Sequence, residues 1–248
     1  MKKTFLWLII RLNYLYHSIL LKMALLGNSH HLTMQSNSDS AIDFNGLCDL
    51  YGSDKGSNVG SSASYPWMHH SYGSYYEKTF ADCRFRIRAV FECGIGTASP
   101  GFMARMGDNY VPGASLRVWR DFFPNAHVFG ADIDTEVMFT EERITTFHVD
   151  QTDEDSIRRM WQKLPGVKFD LMIDDGLHEY HAGISLFEAS IGRLLEHGKW
   201  VIEDVTPSDA RKYLSYFSKS EWNIKIVDFR RPGVRAGDNR LVVVNRKT

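Results

Sequence analysis

The chain has almost no excess charge of either sign. Its 248 residues carry 29 Lys and Arg against 30 Asp and Glu, a formal net charge of −1. A nucleic-acid partner normally requires a basic surface, so the charge gives no reason to expect one. Cysteine is scarce as well. Cys48, Cys83 and Cys93 show neither metal-ligand nor redox spacing and fit free thiols in a reducing cytoplasm. There is no internal repeat. Nor is there a long uncharged apolar run. The most apolar stretch, Phe5 to Leu26, is interrupted by Arg11 and Lys22. That makes it a poor transmembrane span and a weak signal peptide.

What the N-terminus does offer is a helical pattern. Thr4, Arg11, Ser18 and Lys22 fall on one narrow stripe of a helical wheel. This suits an amphipathic helix over residues 5–26, lying in a membrane surface or packing on a partner. An upstream extension ahead of a start near Met34 accounts for it equally well. Residues 27–41, rich in Ser, His and Asn, read as a flexible linker. The expected division is an apolar segment plus linker over 1–41 and one domain over 42–248, long enough for a proper core.

Beyond the linker, strand-like and helix-like segments alternate. Apolar runs at 88–93, 127–132, 145–149, 169–174 and 198–204 are separated by helical patterns at 113–122, 153–163, 181–196 and 207–218. Two late strands, 223–229 and 240–245, flank a turn. The expected fold is α/β: a Rossmann-like, mostly parallel seven-stranded sheet with helices on both faces. The short final connection cannot make a parallel crossover, so an antiparallel C-terminal edge strand is expected. Residues 42–87 should form helices ahead of the sheet.

Two of these runs end in adjacent carboxylates. Phe169 to Asp174 leads into Asp175-Gly176-Leu177-His178, and Trp200-Val201-Ile202 leads into Glu203-Asp204. In an open α/β sheet, ligands bind outside the carboxyl ends of the strands. As neighbouring parallel strands, the two runs would bring Asp174, Asp175, Glu203 and Asp204 to one rim, with His178 beside them. Hard oxygen ligands so grouped suit Mg²⁺ or a similar divalent cation, and the histidine suits a general base.

A third run, Phe91-Glu92-Cys93-Gly94-Ile95-Gly96, enters a glycine turn. It is not the phosphate-binding G-x-G-x-x-G fingerprint, because position 99 is Ser. A long loop then runs to Gly113, where a helix should begin. Asp132 ends the next strand, where it is placed to bind ribose hydroxyls, and Asp150-Gln151 ends the one after.

With these residues in order, the chain resembles class I S-adenosylmethionine-dependent methyltransferases over roughly residues 45–246. Within them it looks most like metal-dependent sugar O-methyltransferases of macrolide and surface-polysaccharide pathways. The matching motifs are Glu92-Cys93-Gly94-Ile95-Gly96, Ala131-Asp132-Ile133-Asp134, Asp150-Gln151-Thr152-Asp153, Asp175-Gly176-Leu177-His178 and Glu203-Asp204. The resemblance implies that Asp175, Glu203 and Asp204 coordinate the metal and that His178 takes the substrate proton. It implies S-adenosylmethionine as methyl donor, held by Glu92, Gly94, Gly96, Asp132, Asp150 and Gln151. We place Asp174 with the cofactor set.

Other readings compete residue by residue. Asp174 and Asp204 could cap the helices that follow. Leu47 to Gly56, with Tyr72, Tyr75 and Tyr76, is similar to a segment that covers the cofactor, but a turn-rich loop also explains it. His69, His70 and His148 read as structural or exposed. Arg230, Arg231, Arg235 and Arg240 could receive an anionic acceptor, but read first as a solvated hairpin face. A metal-dependent hydrolase would need the carboxylates but not Glu92 and Asp132, and a non-catalytic module would not need His178. The acceptor beyond a sugar or glycan hydroxyl is not legible, and the sequence leaves room for a homo-oligomer.

Overall fold

Strands form where the sequence is apolar toward both faces. In β2 (Ala89–Cys93) and β6 (Phe169–Asp174) every residue is buried, the pattern of a parallel sheet covered by helices on either side. In the computed structural model, residues 2–25, 31–35, 43–57, 65–102, 105–230 and 237–247 are described. They form one nine-stranded sheet. The remaining strands are β1 (His31–Gln35), β3 (His127–Asp132), β4 (Thr140–Glu141), β5 (Ile144–His148), β7 (Leu194–Ile202), β8 (Trp222–Arg230) and β9 (Arg240–Arg246). The order across the sheet is β1-β8-β9-β7-β6-β2-β3-β5-β4.

From β2 the chain moves first toward β3 and β5, then returns to place β6 on the other side of β2. This reversal opens a crevice at the carboxyl ends of β2 and β6, the usual ligand position in such sheets. Successive side chains of a strand point to opposite faces. Val90 and Leu171 therefore pack with α2 (Phe44–Tyr51), α3 (Gly73–Phe80) and α4 (Ala114–Phe122) through Phe44, Tyr76 and Trp119. Phe91 and Phe169 pack on the other face with α5 (Glu154–Gln162), α6 (Tyr180–Ser190) and α7 (Pro207–Phe217) through Trp161, Phe187 and Phe217. The helices start at identifiable caps. Asp153 accepts from Asp155 N, and Thr206 accepts from Asp209 N with Pro207 in the first turn.

The mostly parallel, two-faced architecture matches the sequence reading, the sheet has nine strands where seven were expected because β1 and β4 add to it, and four local features differ. The C-terminal strand β9 is antiparallel as expected but is not at the edge: it pairs with both β7 and β8. The crossover through α7 leaves a one-strand gap, and Arg240 to Val244, all buried, fill it. An antiparallel strand does border the sheet, but it is β4. Second, α6 stops at Ser190 and β7 begins at Leu194, which pairs with Phe169. Arg193 secures that break by donating to the carbonyls of Leu164 at 2.8 Å and Trp161 at 3.0 Å. Third, Arg231 and Arg235 lie outside the described residues, whereas Arg240 is buried, paired with Asp228 and donating to the Val205 carbonyl at 2.8 Å. It is a tie inside the sheet and not a solvated face.

The fourth difference concerns the N-terminus. Within the expected linker, His31 to Gln35 run parallel to β8 from Ile226 to Arg230. The preceding α1 (Lys2–Leu25) lays Leu21 and Leu25 into the core shared with α7, and its His17 Nδ1 lies 3.1 Å from Arg211 Nη1. The opposite face of α1 exposes Ile9, Leu12, Tyr16, Ile19 and Met23. Among the described residues, no helix is long and apolar enough to cross a membrane.

A side chain buried as fully as Leu21, 2% exposed, should contribute to the stability of the whole domain. Leu21→Ala is expected to cost about 2–4 kcal/mol in chemical denaturation. An unchanged midpoint and slope would mean that α1 is not part of the cooperative unit.

Candidate active site

Two strand ends form the floor of the site. Gly94, at φ +87°, follows β2 so closely beside the β6 turn that a Cβ there would lie 2.0 Å from the Asp175 carbonyl oxygen. Asp175 N donates to the Cys93 carbonyl at 2.8 Å, and Glu203 N to the Asp174 carbonyl at 2.9 Å. The ends of β2, β6 and β7 are thus laced by backbone bonds, and the acidic residues that follow β6 and β7 gather at one rim.

On the β2–β3 side, Asp132 is buried and accepts from Ile95 N at 2.9 Å and from Asp134 N at 3.0 Å. Burial pushes its carboxyl up, against those backbone N–H groups. Glu92 is fully buried and accepts from Ser115 Oγ at 2.7 Å and Trp119 Nε1 at 3.0 Å. Gln151 reaches across to β6, donating to Asp174 Oδ1 at 2.7 Å and accepting from Leu177 N at 2.9 Å. Asp150 instead folds back on its own turn, accepting from Thr152 N at 2.8 Å and Thr152 Oγ1 at 2.6 Å.

On the β6–β7 side, one potential ligand atom each from Asp175, His178 and Asp204 lies within 4.8 Å of the others. His178 and Asp204 both hold positive φ, +58° and +55°. For residues other than glycine this region costs on the order of 1 kcal/mol or more, and it persists only when the surroundings enforce it. Asp204 Oδ1 accepts from Tyr72 OH at 2.5 Å and lies 3.1 Å from His70 Nδ1, while Oδ2 is 3.9 Å from His178 Nε2. A recess lined by Asp174, His178, Tyr180, Asp204, Asp209 and Tyr213 adjoins this cluster.

The electrostatics follow from burial and neighbours. Burial lifts the Asp175 carboxyl to about 7, with Lys55 opposing and Asp204 reinforcing. Burial also raises Glu203 well above the carboxylate range. For Asp204 burial acts in the same direction, but His70, His178 and Tyr72 outweigh it and hold the carboxyl low. His178 is opposed by burial, yet the charges of Asp204, Asp175 and Asp174 lift it above the ordinary imidazole value.

The segment before β2 supplies residues that sequence reasoning did not place in the site. Lys55, 2% exposed, puts Nζ 2.5 Å from Asp175 Oδ2, 2.5 Å from Glu203 Oε2 and 3.1 Å from Glu92 Oε1. Tyr76 OH donates to Glu203 Oε1. His70 and Tyr72, read as structural or as part of a loop, contact Asp204 directly. Glu203 thus lies beside the Asp175–His178–Asp204 group but is engaged by Lys55 and Tyr76. The signals in the sequence were the resemblance of Leu47 to Gly56, with Tyr72, Tyr75 and Tyr76, to a segment that covers the cofactor, and the density of His and Tyr between positions 69 and 76.

No family model matches the chain. It is 32% identical over 163 residues to the 8-demethyl-8-alpha-L-rhamnosyl tetracenomycin-C 2'-O-methyltransferase of Streptomyces olivaceus, covering 66% of this chain and 38% of that protein. It is 32% identical over 136 residues to the mycinamicin VI 2''-O-methyltransferase of Micromonospora griseorubida, covering 55% and 32%. Among solved structures it resembles the MycE methyltransferase of the mycinamycin pathway in complex with Mg, SAH and mycinamycin VI. There the TM-score is 0.50 at 27% identity, over 74% of this chain and 40% of that one. A second MycE structure, with Mg and SAH, superposes at TM-score 0.56 and 22% identity, over 85% of this chain and 55% of that one. The chain spans less than half the length of these curated relatives. It has the class I methyltransferase fold and is related in sequence to sugar O-methyltransferases.

The carboxyl of Asp175, at about 7, sets a pH dependence. A divalent cation held by Asp175 would have to displace that proton, so its binding would be complete above that value and would weaken as pH falls through it. Calorimetric affinity for Mg²⁺ should be about tenfold lower at pH 6 than at pH 8. Equal affinities would show that Asp175 is not a ligand or is already ionised at pH 6.

Proposed function

We propose that this domain transfers the methyl group of S-adenosylmethionine to a hydroxyl, of a sugar or glycan, with the assistance of a Mg²⁺-type cation. The observation that carries the reading is the meeting of two half-sites at one rim. Asp132 and the Gly94–Gly96 turn lie on the β2–β3 side, and Asp175, His178 and Asp204 on the β6–β7 side. A metal-dependent hydrolase would need only the second half. The sugar O-methyltransferase relatives, and the Mg- and SAH-bound MycE structure, support the same reading.

The residues fit both groups. Asp175 and Asp204, with Glu203 beside them, offer the hard oxygens that Mg²⁺ takes. Such an ion supplies Lewis acidity, lowering the pKa of a coordinated hydroxyl. Asp132 holds the ribose hydroxyls of the donor with its remaining lone pairs, and the Gly94–Gly96 turn lets the backbone approach it. Glu92 anchors α4 beside it through Ser115 and Trp119, Gln151 and Asp174 fix the turn after β6, and Asp150 shapes the adenine side. Neutral His178 receives the hydroxyl proton on its free ring nitrogen as the oxygen attacks the methyl carbon. In that same displacement the carbon–sulfur bond would break as the carbon–oxygen bond forms, its electron pair leaving with sulfur. Without a cation on them, the charges of Asp204, Asp175 and Asp174 raise the proton affinity of His178 above the ordinary imidazole value.

Three measurements test this. Asp132→Ala should weaken S-adenosylmethionine binding by about 1.5–3 kcal/mol in calorimetry; undiminished binding would remove the ribose assignment. Methyl transfer should stop in EDTA and return with Mg²⁺, and full turnover in the chelator would refute metal assistance. His178→Ala should retain cofactor and metal binding while the rate falls by about 10²–10⁴-fold. An unchanged rate and pH profile would move the base role to another group.

A further inference from the structure

The first helix carries two apolar faces. One holds Leu21 and Leu25 and is buried in the core shared with α7. The other is open: Ile9, Leu12, Leu15, Tyr16, Ile19 and Met23 are each 46% exposed or more. Positions 9, 12, 16, 19 and 23 recur every three or four residues, so they form one stripe along α1. A contiguous apolar stripe in open solvent marks an interaction surface. The charge around it is of one sign. Residues 1–38 contain no Asp or Glu and carry Lys2, Lys3, Arg11 and Lys22. The basic character continues onto α7. His17 Nδ1 lies 3.1 Å from Arg211 Nη1, and Arg211 lines an open groove with Lys212, Lys219, Tyr180 and Tyr216. Lys212 is paired with Asp209, and Tyr216 OH donates to Glu188 at 2.6 Å. Among the described residues, no carboxylate lies within ion-pair distance of Arg211 or Lys219.

We propose that this face docks on an anionic lipid bilayer, with the α1 stripe set into the headgroup region and Arg211, Lys212 and Lys219 against lipid phosphates. A helix lying in the bilayer plane needs an apolar face for the acyl boundary and cations beside it for acidic headgroups. Both are present here, and no described helix is long and apolar enough to cross the membrane instead. A second copy of the chain could also cover a stripe of this spacing. It would set only like charges beside the seam, however, whereas paired helices are stabilised by opposite ones. An anionic surface complements the cations that a second copy would repel. Tyr180 lines both the groove and the recess beside His178. Docking through this face would therefore bring the recess to the lipid surface.

The test is flotation of the full chain on density gradients, with vesicles of phosphatidylcholine alone and of phosphatidylcholine mixed with phosphatidylglycerol. The chain should float with the mixed vesicles, stay behind with phosphatidylcholine, and be released as salt rises. The double change Leu12→Glu with Ile19→Glu should cut binding about tenfold or more. Lys219→Gln should cut it about fivefold. All three positions are exposed, so the denaturation midpoint of each variant should match the parent; if the glutamates disturb α1, Lys219→Gln and the salt series decide alone. No flotation, equal flotation on both kinds of vesicle, or binding indifferent to the changes would overturn the proposal. So would a parent chain that sediments as a dimer, ignores vesicles and becomes monomeric in the glutamate variant, because the stripe would then join two copies. Cofactor, metal and acceptor are absent from the assay, so its failure leaves the methyl-transfer reading untouched.

Discussion

Buried negative charge is the constraint around which this domain is organised. Glu92, Asp174 and Glu203 are each 3% exposed or less, and an unpaired buried carboxylate costs several kcal/mol. Neutralisation cannot come from the strands themselves, which present only carboxylates at this rim. It comes from the segment before β2, through Lys55, His70, Tyr72 and Tyr76, and from Gln151 after β5. That requirement explains why α2 and α3 are packed so tightly. Phe44 stacks on Tyr76 at 5.2 Å between ring centroids and lies 4.8 Å from Trp119, whose indole N–H in turn reaches Glu92. The aromatic core on that face and the ionic cluster above it hold each other in place.

The same constraint accounts for the backbone geometry. Gly94 has no Cβ because the Asp175 carbonyl occupies that space. His178 and Asp204 accept positive φ in the turns that carry their side chains toward each other. These are costs in local conformational energy, offset by the bonds made at the rim, and they are concentrated where reacting groups would be held, as is common for functional sites.

This division also shows what the sequence could reveal. The parallel sheet, its helices and the gathering of Asp175, Glu203, Asp204 and His178 were legible because each depends on local pattern: apolar runs, strand-end acids and glycine turns. The interior place of β9 was not. A short connection says that two strands are antiparallel, but not which third strand accepts the free edge. The strand at His31–Gln35 was hidden for a similar reason, since a polar edge strand reads like a linker. Lys55 was the hardest to find. It lies 120 residues from Asp175 and 148 from Glu203, and an Asp-Lys-Gly sequence reads as a turn until the fold brings it beneath the carboxylates.

A buried lysine among the carboxylates eases, without removing, a conflict within the site. Burial alone raises the proton affinity of Asp175 and Glu203, which would leave a neutral pair with little attraction for a metal ion. A permanent cation beside them opposes that rise, and Lys55 is the first group acting against burial for both residues. Too much positive charge would repel an incoming divalent ion, but the ammonium is bonded to Asp175, Glu203 and Glu92. Asp204, held ionised by His70, His178 and Tyr72, keeps its negative charge at the rim beside the recess. The result is a graded field, neutralised within and negative toward the recess, in which a cation and the hydroxyl it binds would be drawn to the rim beside His178 rather than into the core.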